Sequence, residues 1–87
     1  MMNAQDARRA TERAKEELRK AEMEKVMNYL EEVVAPKVDR ATAERKYTCL
    51  VDAMDTVERT IALANEIKAL GYTVTRLTVE NELKIEW

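Results

Sequence analysis

The 87-residue chain has room for one small domain with a limited core, because 46% of its residues are hydrophobic but only 5% are aromatic and Phe is absent. Its net charge of −2 comes from 15 basic and 17 acidic residues mixed along the chain, which excludes a nucleic-acid footprint and a polybasic membrane patch. No apolar run is long enough to span a bilayer, and the N-terminus lacks the apolar core of a signal peptide.

Several residue types that most enzymes need are missing. The sequence contains no His and no Ser, which excludes imidazole acid–base catalysis and the usual nucleophilic triads. A single Gly excludes a phosphate-binding loop, and a single Cys without His leaves no ordinary zinc site. Cys49 is expected in the core rather than as a nucleophile, and Asp55 as a helix cap rather than as a cation ligand with Asp52. The sequence therefore predicts a protein without catalytic residues, metal or cofactor.

Residues 1–35 are predicted to form one long amphipathic helix or arm, since no Gly or Pro interrupts the segment from residue 3 and strong helix formers predominate. Pro36 is expected to end it, because the residue before a proline is disfavoured in helical geometry. The second half carries an apolar stripe that should pack on the rest of the domain. That stripe consists of Met23, Met27, Leu30 and Val34.

The first half of this helix has a narrow seam with the alternating three- and four-residue spacing of a coiled coil. Its members are Ala4, Ala7, Thr11, Ala14, Leu18 and Ala21. Ala stands where a strong coiled coil has Leu, and a step of five residues to Met23 breaks the heptad pattern. We therefore expect a projecting or partner-binding arm, with oligomer or partner contacts at Ala7, Ala14, Leu18 and Ala21.

A polar connector is predicted at residues 36–45, followed by a compact module at residues 46–87. Residues 46–51 fit two structures. If the segment is a strand, one face carries Tyr47, Cys49 and Val51 at alternate positions. If it is a helix, it extends the helix that follows, and the apolar face consists of Tyr47, Leu50, Val51 and Met54. The β-branched and aromatic composition favours a strand, and the helical alternative stays open.

A helix is predicted between Asp55 and Leu70. Asp55 and Glu58 have the spacing of a capping box, and Gly71 can adopt the left-handed conformation that ends a helix. The predicted apolar face consists of Val57, Ile61, Ala64, Ile67 and Leu70.

Residues 72–87 predict an antiparallel hairpin, because β-branched residues are followed by apolar residues that alternate with charged ones. A three-residue loop at residues 80–82 brings the large apolar residues to one face. The resulting pairs are Val79 with Leu83, Leu77 with Ile85, and Thr75 with Trp87. Tyr72 and Val74 have the opposite parity, which predicts a bulge or a two-sided strand near Thr75.

These elements together predict an α+β fold, in which a long N-terminal helix precedes a small β-α-β-β module. The module is expected to hold a three-stranded mixed sheet with one packed helix. Its strand–helix–strand unit should be parallel with a right-handed crossover, and the terminal hairpin should be antiparallel.

The module resembles a group of small proteins that are found widely in tailed phages. The likeness rests on Leu70-Gly71-Tyr72-Thr73-Val74, a polar turn, and Ile85-Glu86-Trp87 at the terminus. The likeness is strongest in the C-terminal half. In the N-terminal half the two share only a charged helix. This chain departs from the group in its longer connector and in lacking a Gly before the first strand. The resemblance implies a phage context and brings no activity to any residue.

Three cationic side chains, Arg45, Lys46 and Arg76, lie near predicted strand positions and could bind an anionic small molecule in an oligomer cleft. A solvated basic edge is the simpler interpretation of the same residues.

The leading hypothesis from the sequence is a non-enzymatic phage structural or accessory protein that forms a homo-oligomer and binds protein, either in the phage particle or in the host. We expect no nucleic-acid and no membrane partner. The location implied is the host cytoplasm, or the virion for a particle component, which agrees with a single unpaired cysteine. The alternative is an anti-defence protein that binds a host immune protein or sequesters a nucleotide signal.

Overall fold

A computed structural model describes all 87 residues and confirms the predicted α+β fold. The chain runs through helix α1 (Ala4–Tyr29), a π-helical segment (Leu30–Val34), helix α2 (Ala35–Ala43), strand β1 (Thr48–Asp52), helix α3 (Val57–Ala69), strand β2 (Thr73–Leu77) and strand β3 (Glu82–Glu86). Strand β1 settles the ambiguous segment at residues 46–51 in favour of a strand.

The N-terminal helix was predicted to end before Pro36. In the structure it continues to Ala43. In a regular α-helix the ring of Pro36 would clash with the carbonyl of Glu32, four residues earlier. The π-helical segment widens the helix at this point, so that the N–H of Ala35 bonds to the carbonyl of Leu30, five residues back. Pro36 then lies in the first turn of α2, where its missing N–H costs nothing. The predicted connector at residues 36–45 is therefore mostly helical.

The sheet has the strand order β1-β3-β2, and both outer strands are antiparallel to β3. Strands β1 and β2 consequently run in the same direction, as the predicted strand–helix–strand unit requires. They are not neighbours, however, because β3 inserts between them. The sheet is therefore antiparallel at every pairing rather than mixed.

The hairpin register differs from the predicted one by three residues. Val74 lies opposite Ile85 and Leu77 lies opposite Glu82, which leaves a four-residue loop at residues 78–81. Asn81 in this loop has a positive φ of 54°. The pairing is continuous along β2, so the bulge predicted near Thr75 is absent.

The physical reason for the register lies in the first residues of β2. Tyr72 and Val74 follow directly from the end of α3 and pack against the core beneath it. Successive side chains of a strand point to opposite faces of the sheet. Because Tyr72 and Val74 point inward, every second residue from them also points inward and the residues between them point outward. Leu77 then faces the outer side of the sheet, and Val79 is 91% exposed in the loop.

Helix α3 buries a face that is rotated from the predicted one. Its buried residues are Thr60, Leu63 and Ile67, whereas Val57, Ile61 and Leu70 are half-exposed or more. Gly71 ends the helix with a φ of 99°, as predicted.

The N-terminal cap of α3 is Thr56 rather than Asp55. The hydroxyl of Thr56 accepts a hydrogen bond from the backbone N–H of Arg59 at 3.2 Å. Asp55 is unavailable for this role because its carboxylate binds the guanidinium of Arg59 instead.

The core lies beneath the inner face of the sheet. Its other side is formed by α1, the π-helical segment and α3. Its cluster consists of Val26, Val34, Val51, Leu63, Ile67, Leu83 and Ile85. Only nine of the 87 residues are fully buried, so each core side chain carries a large share of the stability.

Candidate interaction surfaces

The first half of α1 projects from the rest of the molecule as a free arm. Every residue from 1 to 21 is exposed, and the first buried residue of the helix is Val26. At a rise of 1.5 Å per residue, the exposed helix from Ala4 to Ala21 is about 27 Å long. The radius of gyration is 17.1 Å, whereas a compact chain of this length would have about 12 Å.

The seam predicted for partner contact lies entirely on this arm. Ala7, Ala14 and Ala21 are exposed, and Leu18 is 64% exposed. No part of the same chain covers these residues. Asn3 begins the helix, since its side chain accepts a hydrogen bond from the N–H of Asp6 at 2.9 Å.

A network of ion pairs fastens the base of the arm to α3. The guanidinium of Arg59 donates to both carboxylate oxygens of Glu22 on α1, one of them at 2.9 Å. Another Arg59 nitrogen donates to both oxygens of Asp55, at 2.8 and 2.6 Å. The Arg59 side chain is only 18% exposed, so these charge-assisted hydrogen bonds are partly shielded from water. The C-terminal end of α1 is also joined to the sheet, because the Tyr29 hydroxyl donates to the backbone carbonyl of Asp52 at the end of β1.

The network lowers the pKa of both carboxylates. Hydrogen bonds from Arg59 hold the pKa of Glu22 and that of Asp55 below their ordinary values. Such groups stabilise the fold above the carboxyl pKa of the unfolded chain, at about pH 4, and the contribution is lost as the pH falls through the lower folded pKa.

We expect Arg59→Met to lower stability at pH 7 and to flatten the pH dependence below about pH 4. The urea midpoints of the variant and the natural protein should approach each other as the pH falls below about 4 and the two carboxylates become protonated in the folded state. Arg40→Met is the control, because the Arg40 side chain is 83% exposed and its single partner is Glu44. A constant difference between Arg59→Met and the natural protein from pH 7 to pH 2 would show that the carboxylates are not involved.

The three predicted anion-binding residues do not come together. Arg45 and Lys46 lie between α2 and β1 at one edge of the sheet, whereas Arg76 lies on β2 at the opposite edge. Arg45 has a φ of 63° and helps to end α2, since its N–H bonds to the carbonyl of Thr42. The sequence could not reveal the separation, because it depends on β3 lying between β1 and β2.

Lys46 instead joins other cationic side chains in a shallow cleft of about 700 Å³ between α2 and the outer face of the sheet. Sequence reasoning missed these neighbours because α2 was expected to be a connector. The cleft also contains the carboxylate of Glu44, which bonds Lys46 at 3.0 Å and Arg40 at 3.3 Å. The cleft's remaining basic residues are Lys37 and Lys84.

The single cysteine packs against the core, as predicted. Cys49 on β1 lies opposite Ile85, and burial raises the pKa of its thiol. A nucleophilic thiol needs the opposite shift. No cluster of three or more His, Cys, Asp or Glu side chains is placed to hold a metal ion, and no helix combines the length and apolar character that crossing a bilayer requires.

The two segments that carry the phage resemblance meet in space. The rings of Tyr72 and Trp87 pack edge to face, with centroids 5.9 Å apart, and Ile85 is fully buried. The backbone N–H of Trp87 also bonds to the carbonyl of Tyr47, which ties the C-terminus to the start of β1. These residues therefore hold the module together, and their role here is structural.

Comparisons with known proteins add no relative. No protein-family model, curated protein or solved structure shows significant similarity to this chain. The phage context therefore stays a prediction that rests on the short motif.

Proposed function

We propose that this protein is a non-enzymatic phage structural or accessory protein that works by assembling through its projecting arm. The observation that carries the proposal is the continuous exposure of α1 from residue 4 to residue 21, where the helix has no partner in its own chain. The phage context is supported by the resemblance in the C-terminal module. In this proposal the protein acts in the host cytoplasm, or in the virion when it is built into the particle.

The chemistry of the arm suits a helical partner. Helices in proteins are stabilised mainly by packing of an apolar face, and the free part of α1 receives no such packing from its own domain. Small Ala side chains let a second helix approach closely, and Leu18 supplies one large contact in the seam. A second arm or a helix of a particle protein would supply the missing packing.

The test places two carboxylates in the seam. Ala14→Glu combined with Leu18→Glu should abolish the arm-dependent association seen by sedimentation velocity, because neighbouring helices would have to bury like charges. Arg9→Glu is the matched control, since it changes the net charge by the same amount on the opposite side of the helix. Unchanged association in the double variant would overturn the role of the arm.

The anti-defence alternative divides into two forms. Sequestration of a nucleotide signal loses its original motivation, because Arg76 is remote from Arg45 and Lys46, and Glu44 already pairs two cations of the basic cleft. Binding of a host protein remains compatible with the exposed arm. Recovery of the protein in purified particles would favour the structural role over this alternative.

A further inference from the structure

Strand β2 forms an open edge of the sheet. It pairs only with β3, and none of residues 73–77 makes a backbone hydrogen bond outside that ladder. The opposite edge strand, β1, also pairs only with β3, but α2 packs against it. Open edges pair readily with a further strand, and Arg76 is the only charged residue on this one.

The flank of α3 next to this edge is partly apolar and uncovered. A groove of about 150 Å³ lies between α3 and β2, and both Ile61 and Val74 line it. Ile61 is 51% exposed and Val57, one turn earlier, is 50% exposed. These are the residues that the sequence assigned to the core. Their exposure leaves an apolar strip beside an unpaired strand.

Two charged residues of α3 on this flank, Glu58 and Lys68, are complementary to their own copies under a two-fold rotation, and Arg76 of β2 adds a positive charge in the groove. Glu58, Ile61, Asn65 and Lys68 follow one another at steps of three and four, so they lie along one side of α3. The acidic residue is near the N-terminal end of the helix and the basic residue is near its C-terminal end. Neither Glu58 nor Lys68 has an ionic partner in its own chain.

We propose that a second copy of this chain pairs antiparallel along β2, with the two-fold axis at Thr75. The two sheets then form one six-stranded sheet, since β2 of each copy continues the other at the usual strand spacing of about 4.8 Å. The two α3 helices lie side by side and antiparallel, which places Glu58 of each copy near Lys68 of the other. Ile61 is covered near the centre of the contact.

This interface is separate from the arm and does not depend on it. A chain with two self-associating surfaces connects to two others, so the arm and the edge together build an assembly larger than a dimer. The edge contact is tested in the Ala14→Glu/Leu18→Glu background, where arm association is removed. Association in this background therefore reports on the β2 edge alone, and a negative result there leaves the proposal for the arm unaffected.

Disulfide crosslinking tests the register. With Cys49→Ala as background, Thr75→Cys should form a covalent dimer under mild oxidation, because the two Cα atoms across the axis are about 4.5–5.5 Å apart. Thr73→Cys is the matched control on the same strand. Its copies are about 14 Å apart in this register and cannot be bridged. Equal crosslinking at both positions, or none at Thr75→Cys, would overturn the proposal.

Charge reversal tests the symmetry. Glu58→Lys and Lys68→Glu should each weaken dimerisation about fivefold or more at low salt, because two attractive pairs per dimer become repulsive. The two variants mixed should dimerise with each other, since one then carries only basic side chains at these two positions and the other only acidic ones. Both positions are exposed, so the monomer fold tolerates the changes. Mixed variants that stay as weak as either one alone would contradict the two-fold arrangement.

Discussion

Leu63→Ala is expected to lower the free energy of unfolding by about 4 kcal/mol. Leu63 is completely buried on α3, within the cluster that joins α1, the sheet and α3. Its truncation removes apolar area from a core cluster of seven buried residues and leaves a cavity that a small sheet cannot close. A chain of this length has a total stability of about 4–13 kcal/mol, so the variant should be close to unfolding.

Urea titration followed by Trp87 fluorescence measures this effect, because Trp87 reports on the module rather than on the arm. Leu70→Ala is the control at the C-terminal cap of α3, since Leu70 is 65% exposed. Its cost should stay below about 1 kcal/mol. A cost for Leu63→Ala no greater than that of Leu70→Ala would mean that α3 does not bury the face described here.

Thr60→Val is expected to cost about 2 kcal/mol although the side-chain volume hardly changes. Thr60 is 1% exposed, and its hydroxyl accepts a hydrogen bond from the backbone N–H of Met54 at 3.0 Å. The same hydroxyl donates to the carbonyl of Thr56 at 2.9 Å. Valine would leave the N–H of Met54 without its partner in a half-buried turn, and the loop that joins β1 to α3 would lose one of the hydrogen bonds that hold it.

Thermal or urea unfolding of Thr60→Val measures this loss. Thr42→Val is the matched control, because it makes the same chemical change at an exposed position of α2. The control should be within about 0.5 kcal/mol of the natural protein. Equal effects of the two substitutions would show that the Thr60 hydroxyl does not organise the loop.

The sequence was sufficient for α1, α3 and the three strands in their order, because those elements depend on local patterns. Helix propensity without interruption predicted α1, β-branched composition predicted β1, and Gly71 marked the end of α3. The continuation of the N-terminal helix beyond Pro36 could not be predicted from local patterns. Propensity favours a helix end before proline, and only a π-helical segment that keeps Val34 in the core allows the helix to continue.

Tertiary features were predicted less well because they depend on competition between residues. Asp55 fits a helix cap in the sequence, yet Arg59 binds it together with Glu22, which is distant in the chain. Apolar periodicity also fits two adjacent faces of α3, and only packing of Leu63 against the sheet selects one. The separation of Arg76 from Lys46 follows from the position of β3, which no local pattern encodes.

The most direct test of the account is native mass spectrometry of the unmodified full chain across a range of concentrations. We expect a homo-oligomer that dissociates on dilution and carries no additional small mass, because the β2 edge contact and arm-to-arm packing both join copies of the same chain. A protein that remains monomeric at high concentration would contradict the account. A retained ligand of a few hundred daltons that is lost on denaturation would instead support the nucleotide-sequestering alternative.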